Sequence, residues 1–359
     1  MKLIQTKLRG TGSLIETSWF QLSTHLNQFH FSNPEKGALF LRALQTLNPP
    51  FSCKEISPFA ELPRHEQRGT HTRHIQAAKR TVSLGVFGAP PGLVTELGML
   101  DQNLYETDRI EIGRRLDYSR WLNFVELSSS TRWKEIEPDV LRLLQPLKQT
   151  GSTHYDDANS LIMNLKGSDR IKGETASQLL FLLQELDIFQ ENKDLREETV
   201  ALIERATHFQ TAREVIIQRL PLLIYFNGQG DIAPPVSVTN TSPTHAHTEL
   251  IQFAKKSGIN IALSGNNVND CSQSVVEKIQ SGIQLSLLVS KESQKMDPIF
   301  LFDAPEINLP LHAHGQLRQL IQETAQSQQC FYLSRSKDFF LPADIGKSYS
   351  PRDLEIEFQ

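Results

Sequence analysis

The sequence predicts an α/β fold around a largely parallel sheet. Near the N-terminus, a strand at 26–31 precedes a polar turn at 32–37 and a helix over 38–47. Beyond residue 221, strands and helices alternate at 222–226 (strand), 249–257 (helix), 259–264 (strand), 274–290 (helix), 298–302 (strand), 312–327 (helix) and 330–334 (strand). Such alternation is typical of parallel sheets, because each parallel connection needs a crossover segment, usually a helix.

The rest of the chain predicts mixed strands followed by a block of helices. Residues 3–30 alternate in the manner of strands, and another strand is predicted at 82–87. The Ser- and Asp-rich stretch at 150–160 indicates a loop, and 174–219 indicates two antiparallel helices hinged near 190–194. We therefore divide the chain into an N-terminal part at 1–167, a helical insertion at 168–220 and a C-terminal part at 221–359.

Composition excludes several classes of protein. The 359 residues are 39% hydrophobic and carry 37 Lys and Arg against 41 Asp and Glu, which is too apolar and too balanced for wholesale disorder. With a net charge of -4, any contact with nucleic acid needs a local basic face.

The three cysteines form no CxxC pair, which argues against a disulfide scaffold or a thiolate zinc site. Without a signal peptide or a membrane-length apolar segment, we expect a cytoplasmic protein with no membrane contact and no bound metal.

The strongest motif is an apolar strand that ends in an acid. Residues 299–302 are Ile-Phe-Leu-Phe, and Asp303 follows at the carboxyl edge of the predicted sheet. In P-loop NTPases a carboxylate at this edge binds the magnesium ion of the nucleotide. Three N-terminal features accompany it, namely Lys2-Leu3, Lys7-Leu8-Arg9-Gly10, and Leu26-Asn27 with Asn33 following.

These motifs together resemble the ATPase heads of the RecF, SMC and OLD-type group of ABC proteins. The resemblance implies an ABC-ATPase-like P-loop core with mixed N-terminal strands and a short helical insertion. It also implies that 31–38 corresponds to the phosphate loop and 299–306 to Walker B. The nucleotide-binding residues that would remain from such a site are Asn33, Lys36, Gly37 and Asp303.

The chain departs from the family pattern at each functional element. Pro34 lacks an N–H group, Lys36 precedes Gly37 instead of following it, and Ala38 stands where a magnesium-binding hydroxyl is expected. Ala304 replaces the glutamate that polarises the attacking water, and Arg335 replaces the switch histidine. No glycine pair near 273–278 matches the family's signature motif.

These departures predict a non-catalytic pseudo-ATPase with no cofactor, acting as a scaffold or partner subunit in DNA maintenance or defence. The alternative is an active or weak ATPase that binds ATP and magnesium through Lys36, dimerises around the nucleotide and binds DNA. A third hypothesis is an interaction module that retains only the fold. The resemblance implies a protein partner or a homodimer through the head surface.

A basic face is the candidate for contact with DNA or a partner. Its arginines are interleaved with Trp121 and Trp133, a pattern compatible with nucleic-acid binding. Because acids such as Glu106 and Asp117 alternate with them, surface ion pairs are the competing explanation. The candidate residues are Arg64, Arg68, Arg73, Arg114, Arg115 and Arg120.

Overall fold

The structure is a computed structural model that describes residues 1–11, 14–31, 33–50, 80–100, 107–115, 119–125, 131–150, 153–171, 173–185, 192–232, 274–336, 339, 346–350 and 357–358. The chain divides into two compact units, each assembled from separate segments. The first comprises 1–89, 109–122 and 218–359, and the second comprises 90–108 and 123–217.

Strands and helices are numbered here in chain order. The strands are β1 (Lys2–Thr11), β2 (Leu14–Glu16), β3 (Phe20–Gln21), β4 (Leu26–His30), β5 (Thr81–Gly88), β6 (Arg109–Arg115), β7 (Arg120–Phe124), β8 (Leu223–Phe226), β9 (Ile299–Asp303), β10 (Gln329–Ser334), β11 (Gly346–Tyr349) and β12 (Glu357–Phe358). The helices are α1 (Pro34–Gln45), α2 (Pro91–Leu100), α3 (Trp133–Thr150), α4 (Thr153–Ile162), α5 (Gly173–Glu185), α6 (Lys193–Arg219), α7 (Val275–Glu292) and α8 (His314–Ser327).

A five-stranded parallel sheet forms the centre of the first unit, and it confirms the predicted fold class. The strand order is β11-β4-β10-β9-β8, and each neighbouring pair is parallel. Because parallel sheets bury both faces, their strands are apolar throughout, and β9 and β10 are buried along their whole length.

Helices supply the apolar surfaces that bury this sheet. Phe40 of α1 packs on Phe29 of β4, with 5.0 Å between the ring centroids. Strands β8, β9 and β10 share a second apolar cluster with α7 and α8, whose members include Phe226, Phe302, Tyr332, Ile279, Ile283, Leu317 and Ile321.

A seven-stranded sheet accounts for the mixed N-terminal strands. Its order is β12-β2-β1-β5-β6-β7, with β3 also paired to β1. Gln329 joins this sheet to the parallel one: its Oε1 accepts a hydrogen bond from the Leu3 N–H at 2.8 Å, and its Nε2 donates to the Leu3 carbonyl at 2.7 Å. Gln329 is fully buried, so an unpaired amide group there would cost stability. These hydrogen bonds satisfy both ends of its side-chain amide.

The second unit is helical and has a core of its own. The buried residues Trp133, Ile136, Val140 and Leu143 follow a spacing of three and four along α3, as an amphipathic helix requires. The two helices predicted within 174–219 are present as α5 and α6. The division at 167/168 and 220/221 stays a prediction. The second unit holds residues 168–217 of the predicted insertion together with the helices before it.

Two local predictions were wrong. Residues 153–162 form α4 instead of a loop, because Ile162 is buried in the helical core and Tyr155 packs against that core. Helix α1 begins at Pro34 and not at residue 38. Proline suits the first helical position, since its fixed φ is helical and the N–H group it lacks would have no partner within the helix. The predicted helix at 249–257 and strand at 259–264 lie outside the described residues.

Gly37 of α1 lies against the neighbouring strand β10. A Cβ atom at this position would meet Cδ1 and Cδ2 of Leu333 at 2.7 Å. Gly37 and Leu333 are both buried, so that neither can move aside freely. The glycine therefore sets how closely α1 approaches the sheet.

We predict that Gly37→Ala lowers the free energy of unfolding by about 1–3 kcal/mol through overpacking against Leu333. The matched control is Gly315→Ala in α8, where an added Cβ meets nothing within 4 Å. There alanine should leave stability unchanged or raise it by up to about 1 kcal/mol, since it is the better helix former. Urea unfolding followed by circular dichroism measures both variants, and equal effects would contradict the close-approach explanation.

Candidate functional site

The candidate site lies at the carboxyl ends of three adjacent parallel strands. Strand β10 lies between β4 and β9, with Leu333 in register with both Phe29 and Asp303. Ligands of open α/β sheets bind at this edge, where the loops after the strands meet. Asp303 therefore occupies the position expected from the sequence.

Both carboxylate oxygens of Asp303 are bound by side chains of this chain. The Arg335 guanidinium, which follows β10, donates to Oδ1 from 2.8 Å. The Tyr225 hydroxyl of β8 donates to Oδ2 from 2.5 Å. Asp303 is 5% exposed, so the paired arginine compensates a charge that has lost most of its water.

Tyr225 is an uncharged donor in this cluster. Burial raises the pKa of its hydroxyl, and the nearby negative charge of Asp303 raises the pKa further. The phenol therefore keeps its proton throughout the physiological pH range and donates a hydrogen bond to Asp303. The guanidinium of Arg42 lies 5.6 Å from the centroid of the Tyr225 ring, close enough for a cation–π contact.

The backbone donors at the start of α1 are satisfied within the helix. The Asn33 side chain is the N-cap, and its Oδ1 accepts from the Glu35 N–H at 2.9 Å and the Lys36 N–H at 3.2 Å. The Gly37 N–H donates to the Asn33 carbonyl at 3.2 Å, and Pro34 has no N–H. Asn33 thus occupies the N–H groups of Glu35, Lys36 and Gly37, which lie where a phosphate loop would offer donors to a nucleotide.

Ala304 makes a sharp turn directly after Asp303. It adopts φ 47° and ψ 50°, in the left-handed region that L-residues rarely enter. Its side chain is 1% exposed, and its N–H donates to the Leu333 carbonyl at 2.9 Å. The turn leads into a 3₁₀ segment at Pro305–Asn308, which carries Glu306.

Glu306 is a second buried carboxylate beside this edge, only 1% exposed. Its Oε2 accepts from the Tyr332 hydroxyl at 2.5 Å. Its Oε1 accepts from the backbone N–H groups of Arg335 at 2.9 Å and Ser336 at 3.3 Å. Sequence reasoning missed this role of Glu306, and missed both tyrosines, whose only sequence signal is a hydroxyl within an otherwise apolar strand.

The predicted basic face is only partly exposed. Arg64, Arg68 and Arg73 lie outside the described residues. Arg114 is 7% exposed, so the expectation that it lies on an open surface was wrong. Arg115 donates to the Ser119 hydroxyl at 3.3 Å and Arg120 donates to Asn48 Oδ1 at 2.6 Å, so both have partners within the chain.

Within the described part of the chain, no group of three or more His, Cys, Asp or Glu side chains could hold a metal ion. None of the helices described combines the length and apolarity that crossing a bilayer requires. His314 begins α8, and its Nε2 lies 3.1 Å from the Glu306 carbonyl oxygen, so it belongs to the packing around Glu306.

Comparison with solved structures returns heads of the SMC and RecF type. An Smc head bound to the C-winged helix domain of ScpA is 12% identical, with 98% of this chain and 94% of that chain covered and a TM-score of 0.37. The SMC head domain from Thermotoga maritima is 10% identical, with coverages of 98% and 94% and a TM-score of 0.35. The recombination mediator protein RecF with ATP is 12% identical, with 99% of both chains covered and a TM-score of 0.34.

At such identities and TM-scores the matches are a likeness only, and they carry no conclusion about family, activity, ligand or partner. Protein-family models give no match to the chain, and curated proteins give none.

The geometry of the site does not fit a magnesium–nucleotide complex. A magnesium ion on Asp303 would lie beside the Arg335 guanidinium, which is 2.8 Å from Oδ1, and the two positive charges would repel each other. Phosphate needs free N–H groups at the helix start, whereas Asn33 accepts them. The arrangement instead forms a closed, self-neutralised cluster.

We predict that Arg335→Ala lowers the free energy of unfolding by about 1–3 kcal/mol, because it leaves Asp303 buried without its cation. As a control, Lys193→Ala removes an ion pair of similar type to Glu197, 3.9 Å long and more than half exposed on both sides. That change should cost no more than about 0.5 kcal/mol. Chemical denaturation of the two variants measures the loss in free energy of unfolding. Equal losses would show that the Asp303–Arg335 pair contributes no more than an exposed ion pair.

Proposed function

We propose that this chain is a non-catalytic, RecF/SMC-like head that acts as a scaffold or partner subunit. The observation that carries the proposal is the ion pair between Arg335 and Asp303. A cation from the chain itself occupies the carboxylate that, in a working head of this type, would be available to magnesium. The head would then keep its fold without using a nucleotide.

The residue that follows Asp303 supports the same conclusion. Ala304 has no group that could take a proton from water, and loss of a general base typically removes about 10²–10⁴ in rate. The next acid, Glu306, is 1% exposed and already accepts four hydrogen bonds. These bonds use the acceptor sites that a reacting water would need.

A second helix start is also capped from within. At the beginning of α7, the Ser274 hydroxyl accepts from the Glu277 N–H, and the Glu277 carboxylate accepts from the Ser274 N–H. This capping box stands where the resemblance places the family's signature motif. The N–H groups of Ser274 and Glu277 at α7 are thus used internally, as those of Glu35 and Lys36 are at α1.

The partner of such a scaffold is proposed to be another protein or a second copy of this chain, since a head without turnover has to act through binding. An Smc head among the matched structures is bound to a domain of ScpA, which is a statement about that protein alone. The place in DNA maintenance or defence is proposed from the motifs at 2–10, 26–33 and 299–306.

Isothermal titration of the full chain with ATP and Mg²⁺ tests the proposal. We expect no heat of binding at millimolar ATP, because the helix-start donors and Asp303 are already paired. A RecF-type head of known ATP affinity serves as the positive control. Micromolar binding that Lys36→Ala abolishes would contradict the proposal and support the alternative, a weak ATPase that dimerises around ATP.

Restoring the missing acid should not restore catalysis. We predict that Ala304→Glu has no ATP turnover above that of its matched control, Ala304→Gln, because the nucleotide itself is not held. Phosphate release is measured for both variants at saturating ATP. Turnover by the glutamate variant alone would show that the phosphate loop still binds the nucleotide.

The DNA part of the proposal has a separate test. A basic contact face gives affinity that falls steeply with salt concentration. We expect a mobility shift of duplex DNA at low salt, reduced by Arg115→Glu if the predicted face takes part. The absence of any shift at low salt would remove DNA contact from the proposal and leave the protein partner.

A further inference from the structure

Three consecutive residues at the end of β10, Ser334, Arg335 and Ser336, converge on one buried side chain. The N–H groups of Arg335 and Ser336 both point to Oε1 of Glu306, at 2.9 and 3.3 Å. The Ser334 hydroxyl lies 3.3 Å from the same oxygen and 2.9 Å from the Ser336 carbonyl. Glu306 thus binds the backbone of the segment that carries the arginine.

Two neighbouring N–H groups that share one acceptor restrict the backbone between them. The peptide planes on either side of the Arg335 Cα are both oriented by Glu306, so the direction in which the Arg335 side chain leaves the backbone is restricted. Along that direction its guanidinium reaches Oδ1 of Asp303 at 2.8 Å. Glu306 therefore binds the backbone around Arg335, whereas Asp303 binds the Arg335 side chain.

The connection between these two acids is short and bent. Only Ala304 and Pro305 separate Asp303 from Glu306, and Ala304 takes the left-handed conformation. This turn lets Asp303 face Arg335 while Glu306 reaches the backbone after β10. Non-glycine residues in this region cost about 1–2 kcal/mol, a cost that the buried hydrogen bonds of Glu306 offset.

We infer that Glu306 is a positioning residue that keeps the Asp303–Arg335 pair closed. The inference deepens the proposed function and rests on it, because it names what holds the arginine over the carboxylate. Through Oε1, Glu306 fixes the backbone at 335–336. Without that acceptor, the pair opens and Asp303 becomes accessible.

The test measures how fast Arg335 reacts with phenylglyoxal, which modifies accessible guanidinium groups, with peptide mapping by mass spectrometry. Glu306→Leu keeps the approximate shape and removes both acceptor oxygens. We expect Arg335 to react about tenfold faster in this variant, which corresponds to the loss of one charge-assisted contact. The exposed Arg142 serves as an internal reference whose rate should not change.

Two control variants separate positioning from general stability. Glu306→Gln keeps an oxygen for the two N–H groups and should return the Arg335 rate to near the wild-type value. Tyr332→Phe removes the partner of Oε2 alone, and should lower stability without changing that rate. If Glu306→Leu does not fold, Glu306→Asp takes its place, since its shorter side chain cannot reach both N–H groups.

An unchanged Arg335 rate in the folded Leu or Asp variant would overturn the inference. So would an equal acceleration by Tyr332→Phe, which would indicate loosening of the whole edge. ATP titration of the unmodified chain tests the proposed function independently. Nucleotide binding in that titration would contradict the proposed function, whereas an unchanged rate of Arg335 modification would contradict only the positioning role of Glu306.

Discussion

The ion pair between Arg335 and Asp303 is the interaction on which the character of this site depends. A buried carboxylate at the edge of a parallel sheet must be compensated, either by a ligand cation or by a cation of the chain. Here Arg335 provides that charge from 2.8 Å, and the Tyr225 hydroxyl satisfies the second oxygen. Both oxygens of Asp303 therefore have partners within the chain.

The surrounding fold makes this pairing available. Because β9 and β10 are parallel neighbours in register, the residues that follow them emerge side by side. The left-handed turn at Ala304 directs Glu306 towards the segment after β10, while Asn33 occupies the first donors of α1. The polar groups at this edge of the sheet are thereby paired with one another.

The sequence predicted the parts of this arrangement that are local. Alternating strands and helices indicated a parallel sheet, and an apolar strand ending in Asp303 placed that acid at its edge. The pairing with Arg335 could not be predicted, because it depends on the order and register of strands that are about 30 residues apart. The burial of Arg114 is equally non-local, since it follows from packing around β6 and not from the local charge pattern.

Two local errors have local explanations. The polar residues around Pro34 predict a turn, although proline is well suited to the first position of a helix after an Asn cap. The polar residues at 150–160 predict a loop, although Tyr155 and Ile162 place two apolar side chains on one face of a helix. In both cases the polar composition favours a turn or loop, whereas a few specific residues set the helix.

A crystal structure of the full chain grown with Mg²⁺ and a non-hydrolysable ATP analogue tests the central claim most directly. The account predicts an intact Arg335–Asp303 contact, with Asn33 still capping α1 and no nucleotide at the sheet edge. A triphosphate bound between Asn33 and Asp303, with the arginine displaced, would contradict it.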